Sequence, residues 1–288
     1  MHDIFAFSDI HGMWDLYKAI MDYCHEQDPE YSLIFLGDAI DRGSDGYQIM
    51  KELLDNPKVV YLKGNHEDMF TKAAREIKHF FSFKDANIEK IHEVLNACRY
   101  FDYKYVEIQD SLGNGGLTTL TDWILDGMPM DIVERIEKLP LTFSTDIYDF
   151  CHAAGIYKTF KEAADAEYDG KEVDQYTRDS LLWSRSAFEY GWEPNHTVIY
   201  GHTPVPYLLE DLHVKWDKSK NVEPYKYVGK INPTMTGAKI DMDTGAAFTG
   251  IAYVLNVLTM KAYGFKDLDF KNKDIEKHRI EKIKVIQL

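Results

Sequence analysis

The stretch "IFAFSDIHGMW", residues 4–14, joins a short apolar run to a polar cluster, and it governs the interpretation of the rest of the chain. Its first four residues, Ile4 to Phe7, predict a short buried strand. The run leads directly into Ser8-Asp9-Ile10-His11-Gly12. Because a turn needs only the Asp and the Gly, the histidine requires another explanation. An Asp-x-His pair at the end of a buried strand suits half of a metal site, for which the chain must supply the other half.

Two further apolar runs end in the same way. In "YSLIFLGDAIDRG" the run at 33–36 leads to Asp38, and in "KVVYLKGNHED" the run at 59–62 leads to Asn65 and His66. Apolar residues at helical spacing fill the chain between the runs, so each interval predicts one strand-helix-strand unit. Because parallel strands present their carboxyl ends at one edge of a sheet, we expect these polar clusters to converge there.

Strand-end histidines appear in the second half of the chain. His152 follows the predicted strand in "DIYDFCHAAG", and His202 follows the one in "HTVIYGHTP". The candidate metal ligands are then Asp9, His11, Asp38, Asn65, His152 and His202. Oxygen and imidazole donors in this mixture suit a pair of divalent ions such as Mn, Fe or Zn. A carboxylate shared between two such ions, here Asp38, holds them about 3.5–4 Å apart.

The neighbours of these ligands predict a phosphate site. Arg42, in Asp41-Arg42-Gly43, and Arg185, in "LLWSRS", are candidate clamps, because the planar guanidinium matches two phosphoryl oxygens at once. His66 adjoins a proposed ligand but is not needed as one. It is a natural general acid for a leaving alkoxide, and Asp41 could orient it and hold it protonated.

Composition limits the classes of partner. With 288 residues and 45% apolar content, the chain can form one large α/β domain or two small ones. A formal charge of −15 argues against nucleic acid as a partner, because phosphate backbones require a basic surface. Three cysteines, at 24, 98 and 151, make no disulfide framework and suit a reducing compartment. With neither a signal peptide nor a membrane-spanning run, we expect a cytoplasmic protein.

The organisation expected from the sequence is a single domain over residues 1–288. The apolar spacing predicts a mostly helical insertion at about 68–112 and a short helix at 129–139. Residues 206–236 predict a loop or hairpin excursion, and no regular structure is expected around Arg185. The segment 250–265 predicts a strand with a turn or bulge, antiparallel to its neighbour.

Taken together, the motifs resemble a known family. "SDIHG", "GDAIDRG", "GNHE", "CHAAG" and "GHTP", in this order within residues 8–250, are similar to those of the phosphoprotein phosphatase family of metallophosphoesterases. "LLWSRS" and "DTGAAFTG" bring the resemblance closer to the lambda-type bacterial and phage serine/threonine protein phosphatases. The related diadenosine tetraphosphatases are similar through the first motifs, but their later segments differ from "LLWSRS". The resemblance implies a calcineurin-like α-β-β-α sandwich of two mixed sheets, with the site at the sheet edge. It aligns Asp243, rather than Asp241, with the Asp-Thr-Gly motif of the family.

The resemblance also implies roles for individual residues. One metal ion would be held by Asp9, His11 and Asp38, and the other by Asp38, Asn65, His152 and His202. The ions would be Mn²⁺, with Fe or Zn as alternatives, and a hydroxide bridging them would attack phosphorus in line. His66 and Asp41 would form the proton-donating pair, and Arg42 and Arg185 would grip the phosphate.

Three functions remain open from the sequence. The leading one is a serine/threonine protein phosphatase that acts on a phosphorylated protein or peptide. The second is a symmetrical diadenosine tetraphosphate hydrolase, for which the aromatic insertion could stack a nucleobase, whereas Glu67 and Arg185 favour the phosphatase. The third is a non-catalytic scaffold, which would be expected to lack ligands or the catalytic histidine, whereas every matched position is filled here. No membrane partner is expected.

Overall fold

Strands alternate with helices in the computed structural model, which describes residues 2–100, 104–215, 220–228, 237–272 and 275–288. The strands are β1 (Ile4–Phe7), β2 (Ser32–Phe35), β3 (Val59–Tyr61), β4 (Thr142–Ser144), β5 (Tyr148–Cys151), β6 (Thr197–Tyr200), β7 (Tyr225–Val228), β8 (Ala238–Asp241), β9 (Ile251–Asn256), β10 (Lys261–Asp267) and β11 (Ile280–Gln287). The helices are α1 (Trp14–Gln27), α2 (Gly46–Asp55), α3 (Asn65–Phe80), α4 (Ile88–Cys98), α5 (Val106–Gly113), α6 (Leu117–Leu125), α7 (Met130–Glu137), α8 (Tyr157–Tyr168), α9 (Gln175–Trp183), α10 (Val205–Asp211) and α11 (Ala246–Thr249).

The first sheet has six strands in the order β11-β10-β9-β1-β2-β3. Strands β1, β2 and β3 are parallel, with Ile4 opposite Ser32 and Leu33 opposite Val59. This arrangement confirms the two strand-helix-strand units predicted from the apolar runs. The segment predicted as a strand with a turn is the antiparallel pair β9 and β10, and β11 extends the sheet beyond β10.

The second sheet has five strands in the order β4-β5-β6-β8-β7. Its three central strands, β5, β6 and β8, are parallel, and the edge strands β4 and β7 pair antiparallel to them. Both sheets are therefore mixed, as the resemblance implied. The ends of β5 and β6 bring His152 and His202 to the same edge of this sheet.

The sheets pack face to face, and helices cover their outer faces. Along β1, Phe5 and Phe7 face the helices of the first half, whereas Ala6 faces the other sheet. Along β6, Val198 belongs to the core beneath the helices of the second half. The core between the sheets includes Ala6, Ile34, Phe150, Ile199, Ile240 and Leu255. Successive side chains of these strands point to opposite faces of the sheet, and both faces are buried. The strands therefore appear in the sequence as continuous apolar runs.

Several expectations need correction. No regular structure was predicted around Arg185, but α9 ends at Trp183, two residues before it, and α8 precedes α9. Asp174 caps α9 by accepting from the Thr177 amide at 3.1 Å. Helices continue beyond residue 112 through α6, whereas α7 is the short helix predicted at 129–139. The excursion at 206–236 contains most of α10 and all of β7, while 216–219 and 229–236 lie outside the described residues. No helix in the described ranges is both long and apolar enough to cross a bilayer.

Lys239 is a fully buried lysine in β8, on the helix-covered face of the second sheet. Its Nζ donates to the Gly155 carbonyl at 3.1 Å and lies 5.0 Å from the centre of the Trp192 ring. Burial lowers the pKa of Lys239 to about 7, although the neighbouring Cys151 acts in the opposite direction. The unfolded chain therefore binds more protons than the folded chain between pH 7 and the ordinary pKa of lysine, about 10.4.

We expect the stability of the protein to rise with pH above about 7 because of this lysine, since stability increases wherever the unfolded state binds more protons. Lys239→Met keeps an unbranched side chain and removes the charge, so its melting temperature should exceed that of the wild type most at pH 6. The difference should narrow by pH 9. Thermal unfolding of both proteins across this range measures the effect, and a difference that does not vary with pH would contradict it.

Candidate metal centre

All ten predicted site residues lie at the adjoining edges of the two sheets. Asp9 and His11 follow β1, and Asp38 follows β2. Asp41 and Arg42 lie in the same loop as Asp38, before α2. The others are Asn65 and His66 at the start of α3, His152 after β5, Arg185 after α9 and His202 after β6. Each of the ten makes a polar contact with another member or with its backbone. The eight metal-ligand and proton-transfer candidates are buried, whereas the two arginines are exposed.

The backbone is strained where these side chains converge. Eleven described residues other than glycine have a positive φ, and six of them belong to the predicted site. These six are Asp9, His11, Asp38, Asp41, Arg42 and His202. A non-glycine residue in this region costs about 1–3 kcal/mol and persists only where its surroundings hold it. Strained residues of this kind cluster at functional sites, so their concentration makes this edge the candidate site.

Hydrogen bonds between two loops hold the strained segments in place. The His11 amide donates to the Asp38 carbonyl at 3.1 Å, and the Gly43 amide donates to the His11 carbonyl at 3.0 Å. A side chain at Gly43 would place its Cβ 2.5 Å from the His11 oxygen, so only glycine permits this approach. These hydrogen bonds therefore fix the loops after β1 and β2 relative to each other.

On one side of Asp38, acceptor atoms face one another. His152 Nδ1 donates to the Leu36 carbonyl at 2.9 Å, so in this tautomer Nε2 presents its lone pair on the other side of the ring. That lone pair lies 2.9 Å from Asn65 Oδ1, and His202 Nδ1 lies 3.0 Å from the same oxygen. His152 Nε2 is also 3.5 Å from Asp38 Oδ1. Imidazole nitrogens and oxygen acceptors that converge in this way suit a bound cation.

On the other side of Asp38, His11 has the same orientation. Its Nδ1 donates to the Ile40 carbonyl at 2.8 Å, which leaves the Nε2 lone pair 3.5 Å from Asp38 Oδ2. Asp9 Oδ1 lies 4.0 Å from the same nitrogen. The guanidinium of Arg42 occupies this lone pair, with Nη1 at 2.5 Å from Nε2. This position therefore attracts positive charge.

The charges of the site also fit metal ions. Burial raises the pKa of Asp38, and the neighbouring Asp9 and Glu67 carboxylates raise it further. Burial lowers the pKa values of His11 and His202, which keeps both rings neutral and able to bind metal. Among the described residues, two groups bring their ligand atoms within 4.8 Å of one another: His11, Asp38 and His66, and Asp38, His152 and His202. Asp38 belongs to both groups, and divalent cations would compensate its buried charge.

His66 and Asp41 form a buried pair, with His66 Nδ1 2.7 Å from Asp41 Oδ2. Burial raises the pKa of Asp41 to about 7, although Thr119 and Arg42 lower it in part. Burial lowers the pKa of His66, and the positive charge of Arg42 adds to this effect. The two groups are therefore expected to titrate as a coupled pair across their hydrogen bond. His66 also belongs to a metal-ligand group, and its Nε2 lies 3.8 Å from Asp38 Oδ2.

The two arginines lie beside the histidines at the open side of the site. Arg42 places Nη2 3.0 Å from His66 Nε2, and its guanidinium carbon lies 5.2 Å from the centre of the Phe248 ring. Arg185 directs Nη1 toward the His202 carbonyl at 3.4 Å. Both guanidinium groups are thus accessible to an anion that approaches the histidines.

Sequence reasoning missed the contribution of Glu67. This fully buried carboxylate accepts from the amides of Asp38 at 2.8 Å and Gly64 at 2.9 Å through Oε2. Its Oε1 accepts from the Ala39 amide at 2.9 Å and the Tyr61 hydroxyl at 2.8 Å. Glu67 therefore ties the loop after β2 to the start of α3. The signal was present, because a carboxylate three residues after Gly64 is typical of a helix N-terminus.

Sequence reasoning also missed an anchor for Asp41, Arg42 and Gly43. The Asp41 amide donates to Thr119 Oγ1 at 3.0 Å, and the Arg42 amide donates to the Gly115 carbonyl at 3.2 Å. Thr118 Oγ1 donates to the Gly43 carbonyl at 3.0 Å. Three consecutive residues are thus held by the start of α6 and the turn before it. Because 78 residues separate Asp41 from Thr119, no local pattern reveals the contact.

Comparison with known proteins places this geometry in a family. The calcineurin-like phosphoesterase family matches residues 2–223. Serine/threonine-protein phosphatase 2 of Salmonella typhimurium is 27% identical over 212 residues, which are 71% of this chain and 81% of that protein. A crystal structure provisionally assigned as a diadenosine tetraphosphatase aligns with a TM-score of 0.46 at 13% identity, over 98% of this chain and 93% of the other. A serine/threonine phosphatase of Saccharomyces cerevisiae aligns with a TM-score of 0.43 at 13% identity, over 100% and 81%. The chain belongs to the calcineurin-like phosphoesterase family.

Proposed function

We propose that the protein is a metal-dependent serine/threonine protein phosphatase. Its family makes it a hydrolase that acts on phosphate esters. The main observation in support of metal-dependent phosphatase activity is the position of Asp38 between two groups of metal-ligand atoms. A histidine–carboxylate pair lies beside it. The similarity to the Salmonella phosphatase over most of that protein supports the same substrate class.

The proposed metal ligands divide around Asp38. Asp9 and His11 would join it for one ion, and Asn65, His152 and His202 would join it for the other. We propose Mn²⁺, with Fe or Zn as alternatives, because carboxylate, amide and imidazole donors suit these ions. When bound, two such ions would polarise the phosphoryl oxygens and make a neighbouring water more acidic.

His66 would supply the proton for the leaving oxygen of serine or threonine. In the structure, Arg42 Nη2 lies 3.0 Å from His66 Nε2. A phosphate that accepts from Arg42 would draw the guanidinium away and release this nitrogen for protonation. Its negative charge would also favour the imidazolium over the neutral ring. Asp41 fixes the ring through Nδ1, so that Nε2 points toward the substrate.

The two arginines would bind and orient the phosphoryl group. Both are exposed next to buried histidines, and each presents a planar fork of donors. They would also provide a local positive field in a chain whose formal charge is −15. An anionic substrate could therefore reach the site despite the overall charge of the protein.

A side-by-side assay with Mn²⁺ tests the proposed substrate class. We expect phosphate release from a phosphothreonine peptide to be much faster than hydrolysis of diadenosine tetraphosphate, with Asp38→Asn as the inactive control. A preference for the dinucleotide would move the function to the second candidate. Phe248 is the observation that favours this candidate, because its ring is 62% exposed beside Arg42 and could stack a nucleobase. The aromatic residues of the insertion are less suited to stacking a nucleobase, since rings such as Phe81 and Tyr105 pack against each other.

Two further proposals concern the domain organisation and the location of the protein. We propose that the chain acts as a single domain, because helices α3 to α7 and the first sheet share one hydrophobic core. We also propose a cytoplasmic location, since Cys24, Cys98 and Cys151 are free thiols, which suit a reducing compartment. A phosphorylated protein or peptide is the proposed partner.

Thr119→Val tests whether α6 positions the loop that carries Asp41 and Arg42. The substitution keeps the shape of the side chain but leaves the buried Asp41 amide without its acceptor, which costs about 1–3 kcal/mol. We expect kcat toward a phosphothreonine peptide to fall about tenfold with a smaller change in KM. Thr119→Ser restores the hydroxyl and should recover activity. An unchanged kcat in the Thr119→Val protein would contradict the role of this contact.

A further inference from the structure

A groove of about 380 Å³ lies on the second half of the molecule, between the loop after His152 and the segment that follows α9. Three partly exposed aromatic residues line it: Trp183, Tyr176 and Tyr190, which are 39%, 72% and 42% exposed. Gly155 and Ile156 also line it. The role proposed above for the centre uses none of the aromatic side chains in this groove.

The groove is continuous with the proposed phosphate site. The Trp183 ring packs edge-on against the ring of His202, with 6.2 Å between their centres. Arg185 lies between two lining residues, Ser184 and Ser186, and directs its guanidinium toward the His202 carbonyl. A substrate whose phosphate contacts Arg185 would therefore place its adjoining atoms over this groove.

The lining has the chemistry of a cation site. Among the described residues that form it, Asp179 is the charged one, and the others are aromatic, apolar or small and polar. Asp179 Oδ1 accepts from Gln175 at 2.6 Å, and this donor is neutral. Lys72 interacts with Asp179, but its Nζ is bound to Asp68 at 2.9 Å. Aromatic faces together with a carboxylate attract a guanidinium or an ammonium group.

We propose that this groove binds a basic side chain of the substrate, an arginine or lysine close in sequence to the phosphorylated residue. This proposal rests on the proposed phosphatase function and adds a specificity to it. The carboxylate of Asp179 favours this occupant over a nucleobase, because the polyphosphate attached to a nucleobase would carry negative charge toward it. The net charge of −15 acts in the same direction by attracting basic peptides.

Three phosphothreonine peptides that differ only in the residues beside the phosphothreonine test the proposal. One carries arginine on both sides, one alanine and one glutamate, and p-nitrophenyl phosphate serves as an internal reference that is too small to reach the groove. We expect kcat/KM to be at least about fivefold higher for the arginine peptide than for the glutamate peptide, mainly through KM. Asp179→Asn keeps the amide oxygen for Gln175 and should remove most of this preference. Glu172→Gln, an exposed acid outside the groove, is the matched control and should retain it.

The outcomes distinguish a failure of the proposed basic-residue site from a failure of the proposed phosphatase function. Equal kcat/KM values for the three peptides would overturn the basic-residue site and leave the phosphatase function intact. The same holds if Asp179→Asn and Glu172→Gln discriminate equally well. If no peptide is hydrolysed while diadenosine tetraphosphate or p-nitrophenyl phosphate is, both the proposed function and the groove assignment fail.

Discussion

Asp38→Asn is expected to lower the bound metal to at most one ion per chain and to reduce phosphatase activity by roughly 10³-fold or more. Asp38 is the residue that both groups of ligand atoms share, with carboxylate oxygens 3.5 Å from His11 Nε2 and from His152 Nε2. An amide has one acceptor oxygen and no charge, so it cannot serve both sides. Metal analysis after dialysis, together with the peptide assay, measures both effects.

The control for this variant is Asp22→Asn, an exposed carboxylate on α1 that is remote from the proposed ligands in sequence and fold. It should keep the metal content and the activity of the wild type. Circular dichroism and thermal unfolding would show that the Asp38→Asn protein is folded. Two ions per chain and full activity in Asp38→Asn would contradict the shared-ligand assignment.

His66→Asn is expected to retain bound metal and to lower kcat for a phosphothreonine peptide by roughly 10²–10⁴-fold, the range for loss of a general acid. The asparagine cannot deliver the proton that His66 would hold with Asp41 at 2.7 Å. The loss should be much smaller for p-nitrophenyl phosphate, because its leaving group departs without protonation. This difference between substrates separates proton donation from a structural role.

His79→Asn provides the matched control, since His79 is exposed on the same helix as His66. It should keep kcat for both substrates. An equal loss on the two substrates in His66→Asn would show that His66 orients the site rather than donating the proton. Full activity on the peptide would remove His66 from the mechanism altogether.

The architecture of both sheets was largely predictable, because the information is local. A buried strand appears as a short apolar run, and the polar cluster that ends it marks the sheet edge. Strands β1, β2, β3, β5 and β6 all follow this rule, and each brings a proposed ligand to the site. The candidate site could thus be assembled from the sequence, although the roles of its members remain proposals.

What the sequence did not predict depends on contacts between distant residues. The anchor from Thr119 to Asp41 joins two loops that no periodicity relates. Helices α8 and α9 were missed because the polar segment between Tyr168 and Gln175 interrupts their apolar spacing. The groove beside Arg185 depends in turn on the position of α9. Local patterns therefore predict where the chemistry lies, whereas the surroundings that select a substrate come from tertiary packing.

The most direct test of the proposed two-metal centre is a titration of the metal-free wild-type protein with Mn²⁺. Bound metal and phosphothreonine-peptide hydrolysis are measured in the same samples. If Asp38 is shared between two ions, activity should reach its maximum only when two Mn²⁺ are bound per chain. Activity that is complete in the metal-free protein, or that saturates with a single bound ion, would contradict the proposed two-metal centre.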